Sequence, residues 1–115
     1  MKENPLKDKS YQFAIRIVKL SQYLQHDKKE FVLSKQILRS GTAVGALIRE
    51  AEFGQSKPDF TNKMSIALKE ANETEYWLSL LNDTDFISEN QFVNLQSDCK
   101  ELIAMLVSTV KTSKS

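Results

Sequence analysis

The sequence predicts an all-α protein, an up-down-up-down antiparallel four-helix bundle, and three observations point there. Four segments carry apolar residues at the alternating 3 and 4 spacing of one helix face. Each opens on its own start signal. Only three glycines and two prolines are present, too little turn chemistry for many short strands. With 115 residues, 41% hydrophobic and 27% charged, the chain suits a single domain over 1–115 with one core.

The first helix is expected over about 5–25. Asn4 is a candidate N-cap, and Pro5 fits the first helical position, where its missing N–H costs nothing. Phe13, Ile17, Leu20 and Leu24 form its stripe, while Tyr11 and Ile15 lie off it and widen the apolar surface. Residues 26–32, HDKKEFV, read as a charged connection. The second helix is expected over about 34–54, with Ser34 as cap, Leu33 and Leu38 as a staple around it, and Gly54 as a stop. Its inner face reads Ile37, Gly41, Val44, Ile48 and Ala51. Two glycines inside a helix cost about 1 kcal/mol each against alanine. Ser40, Gly41 and Gly45 therefore predict the close approach of a neighbouring helix.

The third helix, about 57–83, opens on Ser56 as cap with Pro58 in its first turn, and carries Met64, Ala67, Ala71, Thr74, Leu78 and Leu81 in one line. The fourth, about 89–112, opens on a Ser88-x-x-Gln91 capping box and shows Leu95, Cys99, Leu102, Leu106 and Val110, with a fraying tail beyond. Short links between four amphipathic helices favour the bundle. The expected core takes Phe13, Ile17, Leu24, Ile37, Val44, Ile48, Met64, Ala67, Ala71, Leu78, Leu95, Leu102 and Leu106.

Several function classes find no support. The longest uncharged apolar stretches, Ala43–Ile48 and Leu102–Val107, fall far short of the roughly 20 residues a spanning helix needs. The opening MKENPLKDKS has no apolar core behind its charges, so a cytoplasmic location is expected. The single cysteine, Cys99, reads as a small buried hydrophobe, and the single histidine, His26, as a loop-edge residue. A di-metal bundle needs Glu-x-x-His pairs, and none exists. No phosphate-cradling glycine loop occurs. The expectation is a non-enzyme with no catalytic residue, metal site or cofactor.

Charge is unevenly placed. Residues 1–57 hold 11 Lys+Arg against 6 Asp+Glu, and residues 58–115 hold 5 against 9, giving +5 and −4 within a net +1. Lys9, Arg16 and Lys19 share one face of the first helix, and Lys35 and Arg39 one face of the second. These five form a candidate nucleic-acid stripe, with Tyr23 as a stacking platform. The ordinary alternative is a solvated face, or a structural charge network of Arg39, Glu50, Lys63, Glu70 and Glu73 that fixes register. Opposite charges on the two halves, and apolar or small residues on more than one side of the first two helices, suit a head-to-tail contact that closes into a ring.

Leu38-Arg39-Ser40-Gly41-Thr42-Ala43-Val44-Gly45-Ala46, together with Asp59-Phe60 and Ile66-Ala67-Leu68-Lys69-Glu70-Ala71-Asn72-Glu73-Thr74-Glu75-Tyr76-Trp77-Leu78, closely resembles the bacterial family of four-helix-bundle proteins encoded in intervening sequences of 23S ribosomal RNA. The opening Phe13-Ala14-x-Arg16-Ile17-Val18-x-Leu20 is similar to that family's first helix. Leu47 departs from it, standing where members often carry asparagine. The resemblance implies a barrel-like homopentamer. Through a related branch, the accessory proteins of diversity-generating retroelements, it implies RNA and a reverse transcriptase as partners alongside further copies of the chain. No membrane partner is expected.

Overall fold

The computed structural model describes residues 4–115 and places four helices there, α1 Pro5–His26, α2 Leu33–Glu52, α3 Lys57–Asp83 and α4 Glu89–Lys114, with no strand among the described residues. Three of the four starts use the expected caps. Asn4 Oδ1 accepts from the Lys7 N–H at 3.1 Å, and Ser56 Oγ from that of Asp59 at 3.2 Å. At α4 the Ser88 hydroxyl accepts from the Gln91 N–H at 3.1 Å, while the Gln91 amide oxygen accepts from the Ser88 N–H at 2.9 Å.

The second start differs from expectation. Ser34 lies inside α2 and does not cap it, and Val32 at the cap position makes no side-chain bond. The Glu30 carboxylate does that work, accepting from the N–H groups of Val32, Leu33 and Ser34 at 3.2, 3.0 and 2.8 Å. Partial burial pushes its pKa up, but the three backbone donors outweigh this and hold it below the ordinary 4.5. The far end of α2 also differs. The helix stops at Glu52 and Gly54 has no positive φ, so it is not a left-handed terminator. Its N–H donates to the Ala51 carbonyl at 3.0 Å, and an added Cβ would meet Asp59 Oδ2 at 3.0 Å. The α4 helix, in turn, continues through the expected fraying tail to Lys114.

Each helix packs on its neighbours in sequence, and α1 packs on α4 to close the arrangement. The molecule measures 43 × 25 × 19 Å, its long axis set by 26- and 27-residue helices rising about 1.5 Å per residue. Apolar residues from all four helices fill the centre; Ile17, Leu24, Ile37, Val44, Ala67, Ala71, Leu78 and Leu106 are wholly buried. Pair contacts along α1 and α2 run in opposite order. Lys7 meets Glu52 at 3.1 Å, an added Cβ on Gly45 would meet the Ser10 carbonyl oxygen at 3.3 Å, one on Gly41 would meet Ile17 Cγ2 at 2.8 Å, and the Ser21 hydroxyl donates to the Ser34 carbonyl at 3.1 Å. Between α2 and α3 the buried Thr74 hydroxyl donates to Ser40 Oγ at 2.9 Å.

Candidate functional site

Two surface features stand out: how the cations are paired, and where the helices leave grooves. Three of the five stripe cations meet acids of their own chain. Lys9 pairs with Glu101 at 3.0 Å, Arg16 with Asp98, and Arg39 with Glu73 and, at 3.6 Å, with Glu70. Such half-exposed pairs contribute about 0–1 kcal/mol each, but they hold these heads against α3 and α4. The Trp77 indole N–H donates to Glu73 at 3.1 Å, so the α2–α3 network also includes an aromatic side chain. Glu70 Oε1 is buried without a hydrogen bond and faces only the Arg39 charge. Lys63 meets Glu50 at 3.3 Å, about three turns further along the same α2–α3 seam. The five residues of the charge network thus form two separate clusters.

Lys19 and Lys35 have no acidic partner among the described residues. The same holds for Lys28 and Lys29, which lie in the link between α1 and α2 and were not singled out from the sequence. Phe31 and Val32 stand exposed beside them, 51% and 69% accessible. The candidate cationic surface therefore moves from the helix faces toward the α1–α2 link.

A groove of about 750 Å³ runs along α1 and α2. Ala14, Thr42, Gly45 and Ala46 form its shallow floor, and the exposed rings of Tyr11 and Phe53 flank it, 56% and 77% accessible. Arg49 lines it without an acidic partner among the described residues, and Lys63 and Glu50 close one rim. Ser40 and Gly41 are buried behind this floor, and Gly45 is half-buried within it. A smaller groove of about 320 Å³ opens between α1 and the start of α4, lined by Arg16, Lys19, Tyr23, Asn90, Gln91 and Asn94.

Cys99 is buried in the core, where its thiol donates to the Ala71 carbonyl at 3.3 Å. Burial first, then the negative charges of Glu75 and Asp98, push its pKa up to about 12. At neutral pH it is a thiol, not a nucleophilic thiolate. Among the described residues, no three or more His, Cys, Asp or Glu side chains gather as metal ligands, and no helix is long and apolar enough to cross a membrane.

These features define a small all-helical protein whose distinctive chemistry lies on its surface, in grooves and lysines. The sequence profile of the 23S rRNA-intervening sequence protein family matches residues 2–108, and the chain belongs to that family. It is also similar to a crystal structure, at 1.70 Å, of a protein of unknown function from the S23 ribosomal protein family of Bacteroides thetaiotaomicron VPI-5482. The two share 57% identity with a TM-score of 0.91, over 92% of this chain and 98% of the other. No curated protein matches it.

Proposed function

We propose that this chain is a non-enzymatic, cytoplasmic assembly module. In this reading it is an up-down-up-down antiparallel bundle that closes with further copies of itself into a ring and acts as an interaction scaffold. The observation that carries this is the α1–α2 groove, where small residues floor an apolar channel between two exposed aromatic rings. A monomer in water gains nothing from that arrangement, whereas a helix laid into it would bury both rings. The opposite order of the α1–α2 contacts supports the antiparallel reading. The charge asymmetry of the two halves supports the ring less than the groove does, because Lys9, Arg16 and Arg39 are already engaged within the chain. A subunit number of five rests on the family resemblance alone. Native mass spectrometry at micromolar concentration tests the proposal. We expect one closed oligomer, reduced to smaller species by Ala46→Glu at the groove floor; a monomeric parent would refute it.

A second reading, RNA binding, is favoured by the unpaired lysines. Lys28 and Lys29 lie in the α1–α2 link, Lys35 in the first turn of α2 and Lys19 about two turns before the end of α1, and a ring would repeat this set, giving avidity without high charge density. A strand neutralising four lysines per subunit should show a log K against log salt slope of roughly −3 per subunit engaged, from about −0.7 per phosphate. Filter binding of a mixed RNA pool with the Lys28→Glu/Lys29→Glu variant tests it. Equal retention of both proteins would leave the scaffold reading alone. A reverse transcriptase as protein partner rests only on the resemblance.

A further inference from the structure

The groove between α1 and α4 differs in kind from the larger one. Its floor is apolar, made by the nearly buried Leu20 and Leu95. Its walls carry two cations, one phenol and three amides. Arg16 binds Asp98 through one guanidinium nitrogen, leaving further N–H groups, and Lys19 has no acidic partner among the described residues. The Asn90 and Asn94 amides and the Tyr23 hydroxyl make no hydrogen bond within the described chain. Gln91 uses its carbonyl oxygen as a cap on the Ser88 N–H and retains its NH2 group.

We infer that this groove holds an unpaired nucleotide of a single-stranded RNA, an inference that rests on the RNA reading above and names its recognition site. The amides carry the argument. Phosphate offers essentially acceptors, so it would satisfy Arg16 and Lys19 and leave the amide carbonyls of Asn90 and Asn94 idle; a peptide backbone could pair with the amides but has no flat ring to lie against Tyr23. A nucleobase edge displays donors and acceptors side by side, the pattern an asparagine amide matches. Tyr23 gives part of a ring at the same wall, and the cations stand where the attached phosphate would lie. A cleft of about 320 Å³ between two helices admits one base and its sugar, not a duplex whose base edges are already paired. The choice of a strand over a free nucleotide follows from Lys28 and Lys29, which lie just past the C-terminal end of α1 and offer the backbone a continuation.

The test uses the full chain, three RNA probes of equal length (a single strand, a duplex and an abasic strand) and adenosine monophosphate. Binding is followed by filter retention and by the side-chain amide NMR signals of Asn90 and Asn94. We expect the single strand to bind roughly tenfold tighter than the duplex or the abasic strand, about the effect of one stacked or paired base, and to move both amide signals. Asn90→Ala/Asn94→Ala, two exposed positions with Gln91 and its cap left intact, should erase that preference while keeping the salt slope. Lys28→Glu/Lys29→Glu should weaken all three strands alike. Equal binding of strand and duplex, unchanged in the amide variant, overturns the groove and leaves the RNA reading standing. Amide shifts with adenosine monophosphate but no strand retention at low salt overturns the strand assignment and the RNA reading together. An absence of shifts and of retention does the same.

Discussion

Replacing Gly41 by alanine sets two known effects against each other at one atom. Alanine is the better helix former by about 1 kcal/mol. Yet its Cβ would lie 2.8 Å from Ile17 Cγ2 and 2.9 Å from Ile17 Cγ1. Both carbons sit at the first branch of a wholly buried, β-branched side chain, so neither can swing aside. Overpacking a filled core costs about 1–3 kcal/mol, and the expected net loss for Gly41→Ala is about 1 kcal/mol. Ile17→Ala removes the two nearest carbons, leaving only the Cβ of residue 17 at 3.2 Å, and itself lowers stability by about 2–5 kcal/mol. In that background Gly41→Ala should stabilise by about 1 kcal/mol, reversing its sign and giving a coupling of about 2 kcal/mol. Urea unfolding of the four proteins, at one protein concentration, measures all of these terms. If Gly41→Ala stabilises equally in both backgrounds, close approach of α1 is not the reason for glycine at this position.

Three further outcomes follow from the core, the cap and the thiol. Val44→Asp or Leu78→Asp, each burying an unpaired charge at a wholly buried site, should abolish the cooperative thermal transition followed by circular dichroism; a melting point within a few degrees of the parent would contradict the assigned faces. Glu30→Gln should cost about 1 kcal/mol at neutral pH. Because the folded pKa of Glu30 is depressed, its contribution is present above the unfolded pKa and is lost as pH falls through the folded one. Urea midpoints of parent and variant should therefore converge in acid, and a constant gap from neutral pH to about pH 3 would refute the charged cap. Cys99 should resist iodoacetamide at about pH 8 in the folded protein and react once unfolded, as mass spectrometry would show; rapid labelling of the native chain would contradict its burial and raised pKa.

The elements were legible because the signals that make them are local. Asn4, Ser56 and Ser88 cap helices through atoms three residues on, and the core line of α3 repeats within the helix itself. The start of α2 was misread for a physical reason. Cap rules weigh short side chains at the cap itself, whereas Glu30 reaches its amides from two residues earlier. Ser34, the expected cap, instead donates its hydroxyl to the Glu30 carbonyl at 2.8 Å. The cationic stripes were visible as spacing, but their partners were not. Lys9 finds Glu101 only because α1 and α4 lie side by side, and no local pattern encodes that contact. Lys28 and Lys29 were passed over as part of a charged connection. What singles them out is that neither forms an ion pair among the described residues, although Asp27 and Glu30 flank them in sequence: Glu30 spends its carboxylate on the α2 amides, and that shows only in three dimensions.

The seam between α1 and α4 has a kinetic meaning. Every other interface joins helices consecutive in the chain, so each can form as a hairpin with a short loop to close. The α1–α4 seam alone brings together the first and last helices, is the loosest of the four, and is bridged at its surface by Lys9–Glu101 and Arg16–Asp98. Its closure waits on the three hairpins, which makes it the last step of folding and the first point of opening. Native-state hydrogen exchange would then divide the molecule unequally, with α2 and α3 as the slow unit and the two outer helices releasing their amides earlier.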